Sequence, residues 1–91
     1  MSSARLLISG VVQGVCFRYY TVSGANDLKI RGWVRNLPDG RVEAEVVGEK
    51  GLIIDLIQQL KIGPPGSRVT GIEIQWLPED PNHKSFVVKY F

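Results

Sequence analysis

An α+β sandwich, an antiparallel sheet with two helices packed on one face, is the fold class that the sequence predicts. Segments near both ends and in the middle of the chain alternate apolar with polar residues, the two-residue period of half-buried strands. Two intervening segments repeat apolar residues at spacings of three and four, the period of a helix. Turn-forming residues separate these segments. The resulting order is strand, helix, strand, strand, helix, strand.

Residues 4–12 read as the first strand, apolar and β-branched and closed by the Gln13-Gly14 turn. In the helix that follows, Phe17, Tyr20 or Thr21, Ala25 and Leu28 share one face. Gly24 weakens that helix by about 1 kcal/mol relative to alanine, and would permit close packing on the sheet. Residues 32–36 form the second strand, and Leu37-Pro38-Asp39-Gly40 supplies hairpin chemistry. In the third strand, residues 41–47, Val42, Ala44 and Val46 face the core while Glu43 and Glu45 are expected on a solvated face. Residues 49–62 give the clearest helix, with Leu52, Ile53, Leu56, Ile57 and Leu60 in one apolar stripe, and Gly63-Pro64-Pro65-Gly66 stops it. Residues 69–77 alternate again, Ile72, Ile74 and Trp76 against Glu73 and Gln75. After a polar loop at 78–84, residues 85–91 form a last strand with Phe86, Val88 and Tyr90 on one side. The extra β segment in the last third extends the βαββαβ pattern of the ferredoxin-like sandwich. That fold hosts many unrelated activities, so function must come from particular residues.

Hydrophobic residues at 44% and charged residues at 22% are ordinary for a globular protein, and 91 residues predict one domain, 1–91. The net charge of +2 is spread among interspersed acids and bases, which argues against a nucleic-acid partner. A single cysteine excludes an intrachain disulfide and a cysteine-rich zinc site. The apolar run Leu6-Leu7-Ile8 is too short for a signal peptide or a membrane span. The expectation is a cytoplasmic monomer with no membrane partner.

The most informative stretch is Gly10-Val11-Val12-Gln13-Gly14-Val15-Cys16-Phe17-Arg18. It places a glycine-containing turn at the start of a helix, just before an arginine. Successive backbone N–H groups at such a junction form an anion-binding concavity, and a guanidinium can grip two phosphate oxygens together. The residues themselves therefore propose a phosphate cradle.

The chain here resembles the acylphosphatase family, small hydrolases of carboxyl–phosphate mixed anhydrides. That stretch carries the resemblance together with Gly32-Trp33-Val34-Arg35-Asn36-Leu37-Pro38-Asp39-Gly40-Arg41-Val42-Glu43, and Gly63-Pro64-Pro65 followed by Ser67-Arg68-Val69 adds to it. The resemblance implies that Gln13, Gly14, Val15, Cys16 and Phe17 form the phosphate-binding loop. It further implies that Arg18 binds the phosphoryl group and that Asn36 orients the attacking water. Small acyl phosphates are then the substrates and inorganic phosphate a product, with no metal and no cofactor. Cys16 departs from the pattern, since many members carry glycine there, and so does Gly24 inside the first helix.

Blander readings stand beside these. Arg18 could be a surface cation, although a cation at a helix start opposes the helix dipole unless an anion is near. Asn36 could be a strand-end residue and Gln13–Phe17 a simple tight turn. Phe17 reads more as a core anchor than a ligand contact. Only Phe17 separates Cys16 from Arg18, where thiol phosphatases need a longer loop, so Cys16 is expected to be structural or incidental. His83 stands alone in a polar loop and is expected to be solvated; Trp33 and Trp76 are expected in the core. Two other functions compete. Arg31-Gly32-Trp33-Val34 faintly echoes the start of an RNA-recognition strand but lacks the following aromatics. An anion-binding regulatory domain, or a domain normally fused to a larger maturation enzyme, would keep the cradle, but the chain ends soon after its last strand and a free-standing protein is simpler.

Overall fold

A computed structural model describes residues 1–90 as β1 (Ser2–Val11), α1 (Phe17–Asp27), β2 (Arg31–Asn36), β3 (Val42–Gly48), α2 (Lys50–Ile62), β4 (Arg68–Trp76) and β5 (Phe86–Val88). The sheet order is β4-β1-β3-β2-β5. β1 pairs antiparallel with both β3 and β4, and β2 pairs antiparallel with β3. These four strands make the expected antiparallel sheet. The short β5 then adds to the edge of β2 in parallel, through Gly32–Phe86, Trp33–Val87 and Val34–Val88, so the full sheet is mixed. The expected strand at 85–91 shortens to three residues; Lys89 and Tyr90 continue beyond it, and Phe91 lies outside the described residues.

Alternation gives the sheet one apolar face. Ala4, Leu6 and Ile8 of β1, Val34 of β2 and Val42, Ala44 and Val46 of β3 are buried beneath Phe17 and Ala25 of α1 and Ile53, Leu56, Ile57 and Leu60 of α2. Full burial of each large side chain contributes about 1.5–3 kcal/mol. The two helices touch where α1 carries Gly24. A Cβ there would lie 2.7 Å from Gln59 Oε1 and 3.1 Å from Leu56 Cδ1. The glycine thus serves helix–helix contact. Beside it, the Tyr20 hydroxyl donates to the Gln59 carbonyl at 3.0 Å.

The opposite face departs from expectation, because β3 is central and buried on both sides. Glu43 and Glu45 are only 8% and 9% exposed. Arg35 Nε donates to Glu43 Oε1 at 2.7 Å, and Arg5 lies 3.7 Å from Glu43 and 3.6 Å from Glu45. His83 Nε2 approaches Glu45 Oε2 at 2.6 Å, so this histidine is partnered and not simply solvated. The 77–85 connection brings it there. It runs past the end of the sheet, with Leu77 N–H bonded to the Ser3 carbonyl, Ser3 Oγ to the Glu79 carbonyl and Arg31 Nη1 to the His83 carbonyl. Trp33 is buried as expected, with Arg35 5.2 Å and Lys89 4.5 Å from its ring centroid. Trp76 and Ile74 are 40% and 42% exposed, because β4 is an edge strand and the helices only half cover it.

Candidate active site

The site grows from an irregularity where β1 leaves the sheet. The β1–β4 register shifts between Ser9 and Gly10, and Gly10 adopts φ 124°. A Cβ at Gly10 would fall 1.9 Å from the Arg68 carbonyl oxygen, so only glycine fits. The chain then turns through Gly14 at φ 75° and Cys16 at φ 61°, ψ 25° before Phe17 opens α1. Left-handed Cys16 costs about 1–2 kcal/mol that glycine would avoid. A left-handed residue followed by a helical one is the alternation that turns successive N–H groups to one side. Phe17, 1% exposed, pins the helix start into the core.

The electrostatics of this junction are one-sided. The N–H groups from Gly14 to Arg18 donate to no acceptor among the described residues. No side chain caps α1, and its first turn contains a cation, Arg18, but no acid. Arg18 forms no hydrogen bond or ion pair among the described residues; its guanidinium lies 5.4 Å from the Tyr90 ring centroid. Positive charge and donors thus gather at a helix N-terminus with no acid among the described residues to neutralise them.

Asn36 ends β2 and shares the parity of Val34, which directs it to the helix side of the sheet. Its Oδ1 is buried and has no hydrogen-bond partner among the described residues. A buried acceptor left unsatisfied costs about 1–3 kcal/mol and calls for a reason. Asn36 and Arg18 line one cavity of about 510 Å³, together with Gly14, Cys16, Phe17 and Val12. Of the loop residues read from sequence, Gln13 and Val15 do not line it. Val15 packs partly buried against the core. Gln13 instead reaches the β2–β3 turn, where its Nε2 donates to the Leu37 carbonyl at 2.8 Å and the Arg41 carbonyl at 2.9 Å.

That turn is itself braced. Asp39 accepts from the Arg41 N–H at 3.0 Å and from Arg41 Nε at 2.9 Å. The backbone donor first, then the guanidinium, hold its carboxyl below the usual range. Gln13 therefore couples the loop before α1 to the turn just after Asn36. Gln13→Ala removes both bonds and is expected to destabilise the fold by about 1–3 kcal/mol, and to weaken binding of inorganic phosphate more than it alters secondary structure. Urea denaturation and phosphate titration check the two parts separately.

Four further residues complete the cavity: Tyr19 and Val22 of α1, and Val88 and Tyr90 of the C-terminal segment. Sequence reasoning placed no functional weight on them. The first two follow Arg18 on the same helix and could have been found by extending its face; the last two depend on where β5 docks. Among the described residues, no group of three or more His, Cys, Asp or Glu side chains is placed to hold a metal ion, and no helix is long and apolar enough to cross a membrane.

The comparison with protein families matches the acylphosphatase model over residues 4–88. The chain belongs to the acylphosphatase family. An acylphosphatase of Anaeromyxobacter dehalogenans is 44% identical over 87 residues, covering 96% of this chain and 94% of its own length. The crystal structure of acylphosphatase from Bacillus subtilis superposes with a TM-score of 0.97 at 36% identity, covering 99% of this chain and 100% of that one. The acylphosphatase fold also recurs in full-length HypF, solved in a phosphate- and nucleotide-bound form; the TM-score is 0.84 at 27% identity, over 97% of this chain and 12% of HypF.

Proposed function

We propose that the amides of Gly14 to Arg18 and the Arg18 guanidinium hold the phosphoryl group of an acyl phosphate, while Asn36 Oδ1 orients the water that attacks it. The chain is a hydrolase that cleaves the carboxyl–phosphate bond of small acyl phosphates. What supports these roles is one conjunction among the described residues: unpaired N–H groups, a guanidinium free of ion pairs and an unpartnered buried amide oxygen meet around a single cavity.

The chemistry suits so sparse a site. Phosphoryl transfer to water asks the protein for positioning and charge stabilisation more than for covalent work. The water oxygen bonds to phosphorus as the bond to the acyl oxygen breaks, and the electron pair leaves with the carboxylate. The conjugate acid of that leaving group has a pKa of about 4, so it departs without a general acid. The water's proton passes to a phosphoryl oxygen, and the products are a carboxylate and inorganic phosphate. Donors fixed in advance around the phosphoryl oxygens strengthen as charge redistributes in the transition state.

No step in this scheme requires a metal or a cofactor, and the protein is proposed to act as a cytoplasmic monomer with no nucleic-acid partner. Purified protein supplied with benzoyl phosphate is expected to turn over at the same rate with and without EDTA, with inorganic phosphate as a competitive inhibitor. A rate that collapses on chelation and returns with a divalent cation would overturn the metal-free scheme.

A further inference from the structure

A phosphoryl group, one phosphorus and three oxygens, fills a minor part of the 510 Å³ cavity. That volume lies within the range of about 300–1,000 Å³ that accommodates whole small ligands. The remainder is built differently from the cradle. Along α1, Val22 lies one turn beyond Arg18 on the same face, with Tyr19 beside it. On the other side, the parallel register that pairs Val34 with Val88 brings Tyr90 level with Asn36. The extra volume is thus walled by Tyr19, Val22, Val88 and Tyr90, and Arg18 is the one charged side chain among the described residues that line the cavity.

Two of these residues are exposed to an unusual degree for aromatics: Tyr19 at 74% and Tyr90 at 82%. Tyr19 and Tyr90 present apolar ring surface beside the polar cradle, and the Arg18 guanidinium lies 5.4 Å from the Tyr90 ring centroid, which sets that ring against the phosphoryl-binding end of the cavity. We propose that this compartment receives the acyl group and selects acyl phosphates whose acyl part is apolar, aromatic ones above all, with Tyr19, Val22 and Tyr90 as specificity-determining residues. The proposal rests on the hydrolytic reading above and adds the identity of the acyl part. An aromatic acyl group loses water against these side chains, which favours binding. A second carboxylate on the acyl chain would find Arg18 engaged with the phosphoryl group and no other cation among the described lining residues, so it would be desolvated without a partner.

The test compares kcat/KM for benzoyl phosphate and succinyl phosphate. At neutral pH succinyl phosphate expels the succinate dianion, a poorer leaving group than benzoate, so each kcat/KM is divided by that substrate's uncatalysed hydrolysis rate before the two are compared. The wild-type protein is expected to favour benzoyl phosphate at least about tenfold, a difference of about 1.4 kcal/mol. Tyr19→Lys places a cation at the mouth and is expected to shift the ratio about tenfold or more toward succinyl phosphate, by lowering the first rate and raising the second. Val22→Ser is expected to lower the benzoyl rate more than the succinyl rate. Position 19 is mostly exposed, so the lysine variant is expected to melt near the wild type, and thermal unfolding checks that. Equal wild-type rates for the two substrates, or a ratio that neither variant moves, would overturn this inference while leaving the hydrolytic reading intact. A wild-type protein that hydrolyses neither substrate would overturn both.

Discussion

Replacing Arg18 with glutamine is expected to lower kcat/KM for acyl phosphates by about 10²–10⁴-fold, because two charge-assisted hydrogen bonds of about 1.5–3 kcal/mol each are lost from the transition state. The same variant is expected to be at least as stable as the wild type when no phosphate is present. Arg18 puts a cation into the first turn of α1, where the helix dipole disfavours it by about 0.3–1 kcal/mol, and no acid in that turn compensates. It also makes no hydrogen bond or ion pair among the described residues, so its removal strands no buried acceptor. Phosphate reverses the order. At a concentration 100 times its dissociation constant it stabilises a competent cradle by about 2.7 kcal/mol, and most of that gain is expected to vanish in Arg18→Gln. Thermal melts with and without phosphate, beside initial rates, check the whole pattern. A large loss of stability in the phosphate-free variant would make Arg18 a structural residue and sink the argument.

This opposition between stability and function also explains what the sequence could and could not disclose. The proposed cradle could be read from the chain because its parts are contiguous: glycine, turn, helix start and arginine follow one another within nine residues, Gly10 to Arg18. Local periodicity likewise revealed both helices and the apolar face of β3, since a period depends only on neighbours in the chain. Burial of Glu43 and Glu45 is a different kind of fact. The same alternation fits a strand with one solvated face and a central strand whose acids are covered by Arg5, Arg35 and His83. Strand order decides between them, and strand order is set by pairings between residues far apart in the chain. The aromatic wall was hidden for the same reason. Tyr90 joins the cavity only because the 77–85 connection carries the chain past the end of the sheet to the outer edge of β2. The side-chain contacts of Gln13 were hidden on subtler grounds. It lies inside the motif, but its side chain points to two carbonyls of the β2–β3 turn, so it positions the loop and does not line it.

Asn36→Ala should separate catalysis from binding where Arg18→Gln affects both. Asn36 Oδ1 is buried without a partner among the described residues, so its deletion removes an unsatisfied acceptor and is expected to leave stability unchanged or raise it by about 1 kcal/mol. Loss of the group that orients the water is expected to lower kcat by about 10²–10³-fold, as expected for a positioned polar contact in the transition state. The cradle amides and Arg18 remain, so KM and the inhibition constant for inorganic phosphate are expected to change less than about threefold, a difference of about 0.6 kcal/mol. That split between kcat and KM is diagnostic. A merely structural asparagine would perturb melting temperature and phosphate affinity together and leave kcat near normal in the folded fraction. A water-orienting asparagine leaves the first two in place and removes the third, because an acceptor aimed at a nucleophile stabilises only the moment of attack.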